Sequence, residues 1–261
     1  MPTISPTPNP QHLINISDIS PLTYHLSLMQ PVEWGGHNLV DAERRLLANA
    51  LLDINNRRFI LMSEACIPLF HFNYVYSYVL RSPYSFMTSV IDQQQEETWK
   101  NDLLPEVEMK HWRKGDQWKE LHRVVAVTVV ADTKYYPKFY NHFVCEGCDP
   151  WILGFMDERY IPTLLHIQSG HRLANRTLTY VDWKNHEDMI HPHSFDQAEV
   201  TPQVLWEIKN TTTYTPFNLG GTRTDCSLDD GEERPCFLFA RKFRPSSLDR
   251  LMRLSLKVFG Y

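Results

Sequence analysis

Apolar positions recur at helical spacing over residues 42–52, where Leu47, Ala50 and Leu51 share a face and Asp41 offers an N-cap. After the Asn55-Asn56 turn, the run Phe59-Ile60-Leu61-Met62 predicts a short buried strand. Residues 63–68 then form a loop at the carboxyl end of that strand, where open α/β sheets bind ligands, and Glu64 is its charged side chain. A helix is predicted over 73–80 and a strand over 84–90, followed by a polar, acidic, exposed loop over 92–111. Val124 to Val130 is rich in β-branched residues, which on propensity predicts a strand. Ile161, Leu164, Leu165 and Gln168 fall at i, i+3, i+4 and i+7 of a further helix. Pro162 is tolerated only in a first turn, so that helix should begin near Glu158. Thr177 to Val181 alternates as a strand ending at Asp182-Trp183. The loop-rich stretch 184–235 holds one helix near 202–209. Phe237 to Ala240 predicts a strand leading into Arg241-Lys242, and Ser246 or Ser247 can cap a terminal helix from Leu248. This alternation predicts α/β layering. Residues 1–30, with Pro2, Pro6, Pro8, Pro10 and Pro21, read as an irregular arm, leaving 31–261 as one domain.

Composition narrows the classes. The chain is 43% hydrophobic and 22% charged, enough to bury a sizeable core. A net charge of -5 provides no electrostatic footprint for nucleic acid or an anionic membrane. No apolar run approaches the roughly 18 residues that span a bilayer, and the first thirty residues lack the pattern of a signal peptide. Five cysteines do not define a disulfide scaffold. Cys145-x-x-Cys148 is half of a zinc motif without its other half, so a disulfide involving Cys226, Cys236 or the Cys145/Cys148 pair is the favoured reading in an oxidising compartment. Sequons at Asn15, Asn175 and Asn210 are compatible with a luminal protein. GxGxxG, P-loop, HExxH and GxSxG patterns are absent, as is an Asp-x-Asp that would hold a metal-bound diphosphate. His186, His191 and His193 lack the spacing of a metal site.

Two pairs carry candidate chemistry. Asp157-Glu158 stands at a helix start, where carboxylates meet unpaired amides and the positive end of the dipole. Capping explains such a pair, and so does a general base for a hydroxyl nucleophile. Arg241-Lys242 ends an apolar strand; two fixed cations there can neutralise a leaving diphosphate without a metal, and strand-end solvation is the plainer account.

Ordered motifs add to these pairs. They are Trp34-Gly35 with Asp41-Ala42-Glu43-Arg44-Arg45-Leu46-Leu47, then 59–69 (FILMSEACIPL), Trp112-Arg113-Lys114-Gly115-Asp116-Gln117-Trp118, and 132–137 (DTKYYP). Further on come 157–163 (DERYIPT), 175–183 with its Val181-Asp182-Trp183 end, and 236–243 (CFLFARKF). In this order they resemble the plant-type branch of the core-2/I-branching β-1,6-N-acetylglucosaminyltransferase-like family, over about residues 30–255.

The resemblance implies a GT-A-like α/β fold, with a mixed central sheet flanked by helices. It implies an inverting, metal-independent transfer from a UDP-sugar, UDP-N-acetylglucosamine, to an acceptor glycan, with no cofactor. Glu158 matches the family's catalytic base, with Asp157 as helix-start support, and Lys242, beside Arg241, matches its phosphate-binding lysine. Trp183 falls at an acceptor-side aromatic, and Glu64 lies in the matched strand-end loop. The family pattern also keeps a helix open for 124–130. A Golgi-membrane, luminal location follows from the family alone. Relatives begin with a membrane anchor and the first nucleotide-binding strands, and this chain is expected to lack both. A non-catalytic remnant that binds carbohydrate or acts as a scaffold is therefore the alternative function. Asp116 stands where the family pattern has serine, and no arginine occupies the position near His193 where animal-type relatives place a second phosphate ligand.

Overall fold

The computed structural model describes residues 14–15, 32–144, 153–183, 191–214, 224–226 and 235–259. The first half runs β1 (Ile14–Asn15), α1 (His37–Leu51), β2 (Arg58–Met62), β3 (Ile67–Pro68), α2 (Phe72–Arg81), α3 (Gln95–Thr98), β4 (Glu120–His122) and α4 (Arg123–Ala131). The second runs α5 (Tyr136–Phe143), α6 (Met156–Ser169), β5 (Thr179–Val181), α7 (Pro202–Lys209), β6 (Thr213–Tyr214), β7 (Thr224–Asp225), β8 (Phe239–Arg241) and α8 (Leu248–Val258). Two small mixed sheets, β1-β2-β4 and β3-β8-β5, stand among the helices. In the first, β1 runs parallel and β4 antiparallel to β2; in the second, β5 runs parallel and β3 antiparallel to β8. This mixed α/β layering is consistent with a GT-A-like fold, with the expected central sheet divided in two among the described residues.

Val124 to Val130 lies in helix α4, not a strand. Val125, Ala126 and Val129 are buried on one side, in the same core as Leu47 of α1 and Leu164 of α6, while Val124 and Val127 face outward. A helical stripe that buries three residues outweighs β propensity. The His122 imidazole accepts from the Val124 amide at 3.2 Å and starts the helix.

Several boundaries correct the expectations. Helix α1 begins at His37 after Gly36, so Asp41 lies inside it and accepts a hydrogen bond from the Tyr136 hydroxyl instead of capping. Residues 84–90 form no continuous strand; single bridges at Ser85, Phe86 and Val90 tie them to three different segments. The acidic loop over 92–111 is folded. Short helical turns bury Thr98 and Leu103, Val107 is buried in the loop beyond them, and Asp92 is buried against Arg159. Ser247 precedes α8, but its hydroxyl donates to the Phe195 carbonyl at 2.8 Å rather than capping. Cys226 and Cys236 form a disulfide, and Cys145 and Cys148 lie outside the described residues.

Candidate active site

Backbone pairing brings four segments to one place. Strand β2 ends at Met62, and the 63–66 turn that follows is closed by the Cys66 amide donating to the Ser63 carbonyl at 3.1 Å. The chain then enters β3, whose antiparallel register sets Ile67 opposite Ala240 and so lays the turn beside Arg241. The Phe243 amide donates to the Ala65 carbonyl at 3.0 Å. Parallel pairing sets Val181 opposite Arg241, which carries Asp182-Trp183 alongside Lys242-Phe243. The Leu61 amide donates to the Lys119 carbonyl at 3.0 Å, so the approach to β4 reaches the same end of β2. Strands β2, β5 and β8 end here, and carboxyl ends are where α/β sheets leave room for ligands.

The carboxylate side is built by α6. This helix begins at Met156, two residues before the expected start, and Pro162 lies well inside it. Proline has no amide hydrogen, so the carbonyl four residues back, that of Glu158, loses its helical donor. The Gly115 amide supplies the missing bond at 2.9 Å. A side chain at position 115 would overlap the Thr88 carbonyl and crowd Pro162, so only glycine lets the loop come this close. The Glu158 side chain is 31% exposed and pairs with the Lys114 ammonium at 3.3 Å.

Asp157 stands in the first turn of α6, at the helix start. Phe155 holds the capping position, and Asp157 is buried with its Oδ1 lacking a partner among the described residues. Burial, and then the neighbouring Glu158, push its carboxyl up to about 7. Close by, Lys119 is committed to Glu43 at 2.7 Å, with both side chains buried. Asp116 accepts from the Thr88 hydroxyl and the Trp118 amide, both at 3.0 Å. Burial raises it to about 6 against those bonds.

A buried carboxyl that titrates high holds its proton in the folded state after the unfolded chain has lost it. Its contribution is therefore greatest at low pH and is lost as pH rises from the ordinary carboxyl range to about 7. Asp157→Asn should flatten this slope. Urea denaturation from pH 5 to pH 8 is expected to show the wild-type chain losing more stability than the variant, by a few kcal/mol at most. Parallel pH profiles would contradict this.

The cation side is built by β8. The Arg241 guanidinium lies 3.9 Å over the Trp118 ring. Burial lowers its pKa, while Cys66, Glu64 and Asp116 act the other way. Its Nε has no partner among the described residues. The fold therefore brings Glu64, Arg241 and Asp116 into electrostatic contact, and Asp116 also senses Glu158. Lys242 follows Arg241, with its carbonyl accepting from the Phe195 amide at 2.8 Å. Trp183 joins through strand register, half-buried beside this end of β8. His193 lies next to the same strand ends, its ring 2.8 Å from Glu199. Lys119 and Glu43 carried no sequence signal of a role, because their pairing spans 76 positions. Among the described residues, no three His, Cys, Asp or Glu side chains cluster as metal ligands, and no helix is long and apolar enough to cross a membrane.

Residues 5–209 match the model of the core-2/I-branching enzyme family. That segment contains Glu64, Asp157, Glu158 and Trp183, and ends before Arg241 and Lys242. Glycosyltransferase BC10 from Oryza sativa subsp. japonica is 33% identical over 256 residues, covering 86% of this chain and 61% of that protein. The chain thus spans about three fifths of that relative's length. On family match and on identity alike, the chain belongs to the core-2/I-branching enzyme family.

Proposed function

We propose that the chain carries the catalytic half of an inverting, metal-independent glycosyltransferase. The donor is a UDP-sugar, with N-acetylglucosamine as the transferred sugar, and the acceptor is a glycan hydroxyl. The observation that carries this reading is an accessible carboxylate, Glu158, which shares the neighbourhood of Asp116 with Arg241 at the strand ends. Glu158 removes the proton of the acceptor hydroxyl, and that oxygen attacks the anomeric carbon as the bond to UDP breaks. The departing diphosphate is met by the cations at the end of β8, which need no reorganisation because their strand fixes them. Glu64 and Trp183 border the same space and suit sugar hydroxyls and a sugar face. Placement on the luminal side of the Golgi membrane fits this chemistry, as sugar nucleotides and glycans meet there.

The test is direct. The purified chain is incubated with UDP-N-acetylglucosamine, UDP-galactose or UDP-xylose and a panel of glycan acceptors, and UDP release and product are followed. The anomeric configuration of the product is read by NMR. Inverted product from the N-acetylglucosamine donor, made equally well in the presence of a chelator, is expected. Absence of both transfer and UDP binding would remove the reading.

A further inference from the structure

Asp116 and Asp157 each stand in electrostatic reach of Glu158, with Lys119 facing both and Glu43 facing Asp157. Lys119 is already held by Glu43 at 2.7 Å. Lys114 is the cation whose ammonium touches Glu158, at Oε2 and 3.3 Å. An exposed ion pair of this kind is usually worth little, because two long side chains must be ordered to make it. Here the mount is rigid. Lys114 exchanges both backbone hydrogen bonds with Val90, at 2.8 and 2.9 Å. On one side Arg113 is bound through its amide to the Thr163 hydroxyl of α6 at 3.0 Å. On the other, Gly115 is bound to the Glu158 carbonyl that Pro162 frees. The Ser89 hydroxyl closes the arrangement on the Pro162 carbonyl at 3.1 Å. The loop carrying the ammonium and the helix carrying the carboxylate are thus stitched together on both sides of the pair.

We infer that Lys114 is a positioning residue for the proposed base: it holds Oε2 of Glu158 and leaves Oε1 to receive the acceptor hydroxyl. The inference rests on the transferase reading. The proton of the acceptor hydroxyl passes to Oε1, the acceptor oxygen bonds to the anomeric carbon, and the electrons of the broken bond leave with UDP. Lys114 gains and loses no proton in this step. It fixes the direction from which the base works, because a carboxylate free to swing spends less time in line with the hydroxyl.

Lys114→Met and Lys114→Arg test this in the full chain. With Met, kcat is expected to fall by about tenfold or more, with the donor KM within about twofold and an unchanged melting temperature. Arg should restore most of the loss, since it can hold the same oxygen. Unchanged kcat, or a fall accompanied by a matching drop in melting temperature, would overturn the inference. A second measurement needs no turnover. Acetylation of Lys114, followed by mass spectrometry, is expected to be slow in the wild-type chain and faster in Glu158→Gln, whereas equal rates would overturn the pairing. Transfer that survives in Glu158→Gln would instead defeat the transferase mechanism, and the acetylation rates would still decide whether Lys114 and Glu158 pair.

Discussion

Glu158→Gln is expected to reduce transfer by about a hundredfold to ten-thousandfold, the range lost when a general base is removed. The reason is both chemical and structural. Glutamine keeps the shape of the side chain but cannot accept a proton at working pH. The Glu158 side chain is 31% exposed, so the change leaves no cavity and no buried unpaired group. Its backbone carbonyl keeps the bond from Gly115, and α6 keeps its start at Met156. The substitution removes the ion pair with Lys114, which is partly exposed and worth about 1 kcal/mol or less to stability. Turnover should therefore collapse while the melting temperature stays within a degree or two, as expected for an exposed substitution. The assay is transfer from the UDP-sugar beside a thermal scan of the same preparation. Transfer at the wild-type rate would show that Glu158 is not the base.

Asp92→Ala should have the largest effect on stability, costing about 3–5 kcal/mol. Asp92 and Arg159 form a two-pronged pair, at 2.9 and 2.8 Å, between side chains 3% and 1% exposed. The guanidinium lies 5.5 Å from the centre of the Trp112 ring, and its Nε has no partner among the described residues. Removing the carboxylate strands a positive charge in the core, and that charge cannot reach water without opening the loop against α6. Urea denaturation measures the cost. Adding Arg159→Met to Asp92→Ala should recover much of it, because the orphaned charge is then gone. A loss below about 1 kcal/mol for Asp92→Ala would contradict a buried, mutually dependent pair. Arg159 follows Glu158 in the chain, so the pair also anchors the turn that presents the proposed base.

Different levels of this arrangement were legible to different degrees. Strand β2 at Arg58–Met62 and helix α7 at Pro202–Lys209 follow from local pattern: an apolar run in one case, and Thr201 capping the Val204 amide before a proline in the other. The core of α6 was readable from its i, i+3, i+4, i+7 spacing, but its first residue was not. Pro162 pointed to a start near Glu158; the helix begins two residues earlier, at Met156, because Gly115, 43 positions before Glu158 in the chain, satisfies the carbonyl that proline orphans. At Val124 to Val130 the strand that propensity predicts gives way, for a related reason, to the helix that the family pattern kept open. β-branched side chains favour strands only until a helical stripe finds a core to bury against, and that core comes from α1 and α6.

By itself, the sequence determined the α/β class, helices α1, α2, α6, α7 and α8, strands β2, β5 and β8, and the ordered motifs that mark the family. These depend on side-chain spacing and on hydrogen bonds that reach a few residues along the chain. The tertiary structure decided which member of the Asp157-Glu158 pair is buried and which is open to a substrate. It decided that Lys119 belongs to Glu43 and Lys114 to Glu158, and that Asp116 lies where both Glu158 and Arg241 feel its charge. Such pairings join residues about 40 to 130 positions apart, and their strength depends on desolvation, which is set by everything packed around them and has no local signature in the chain.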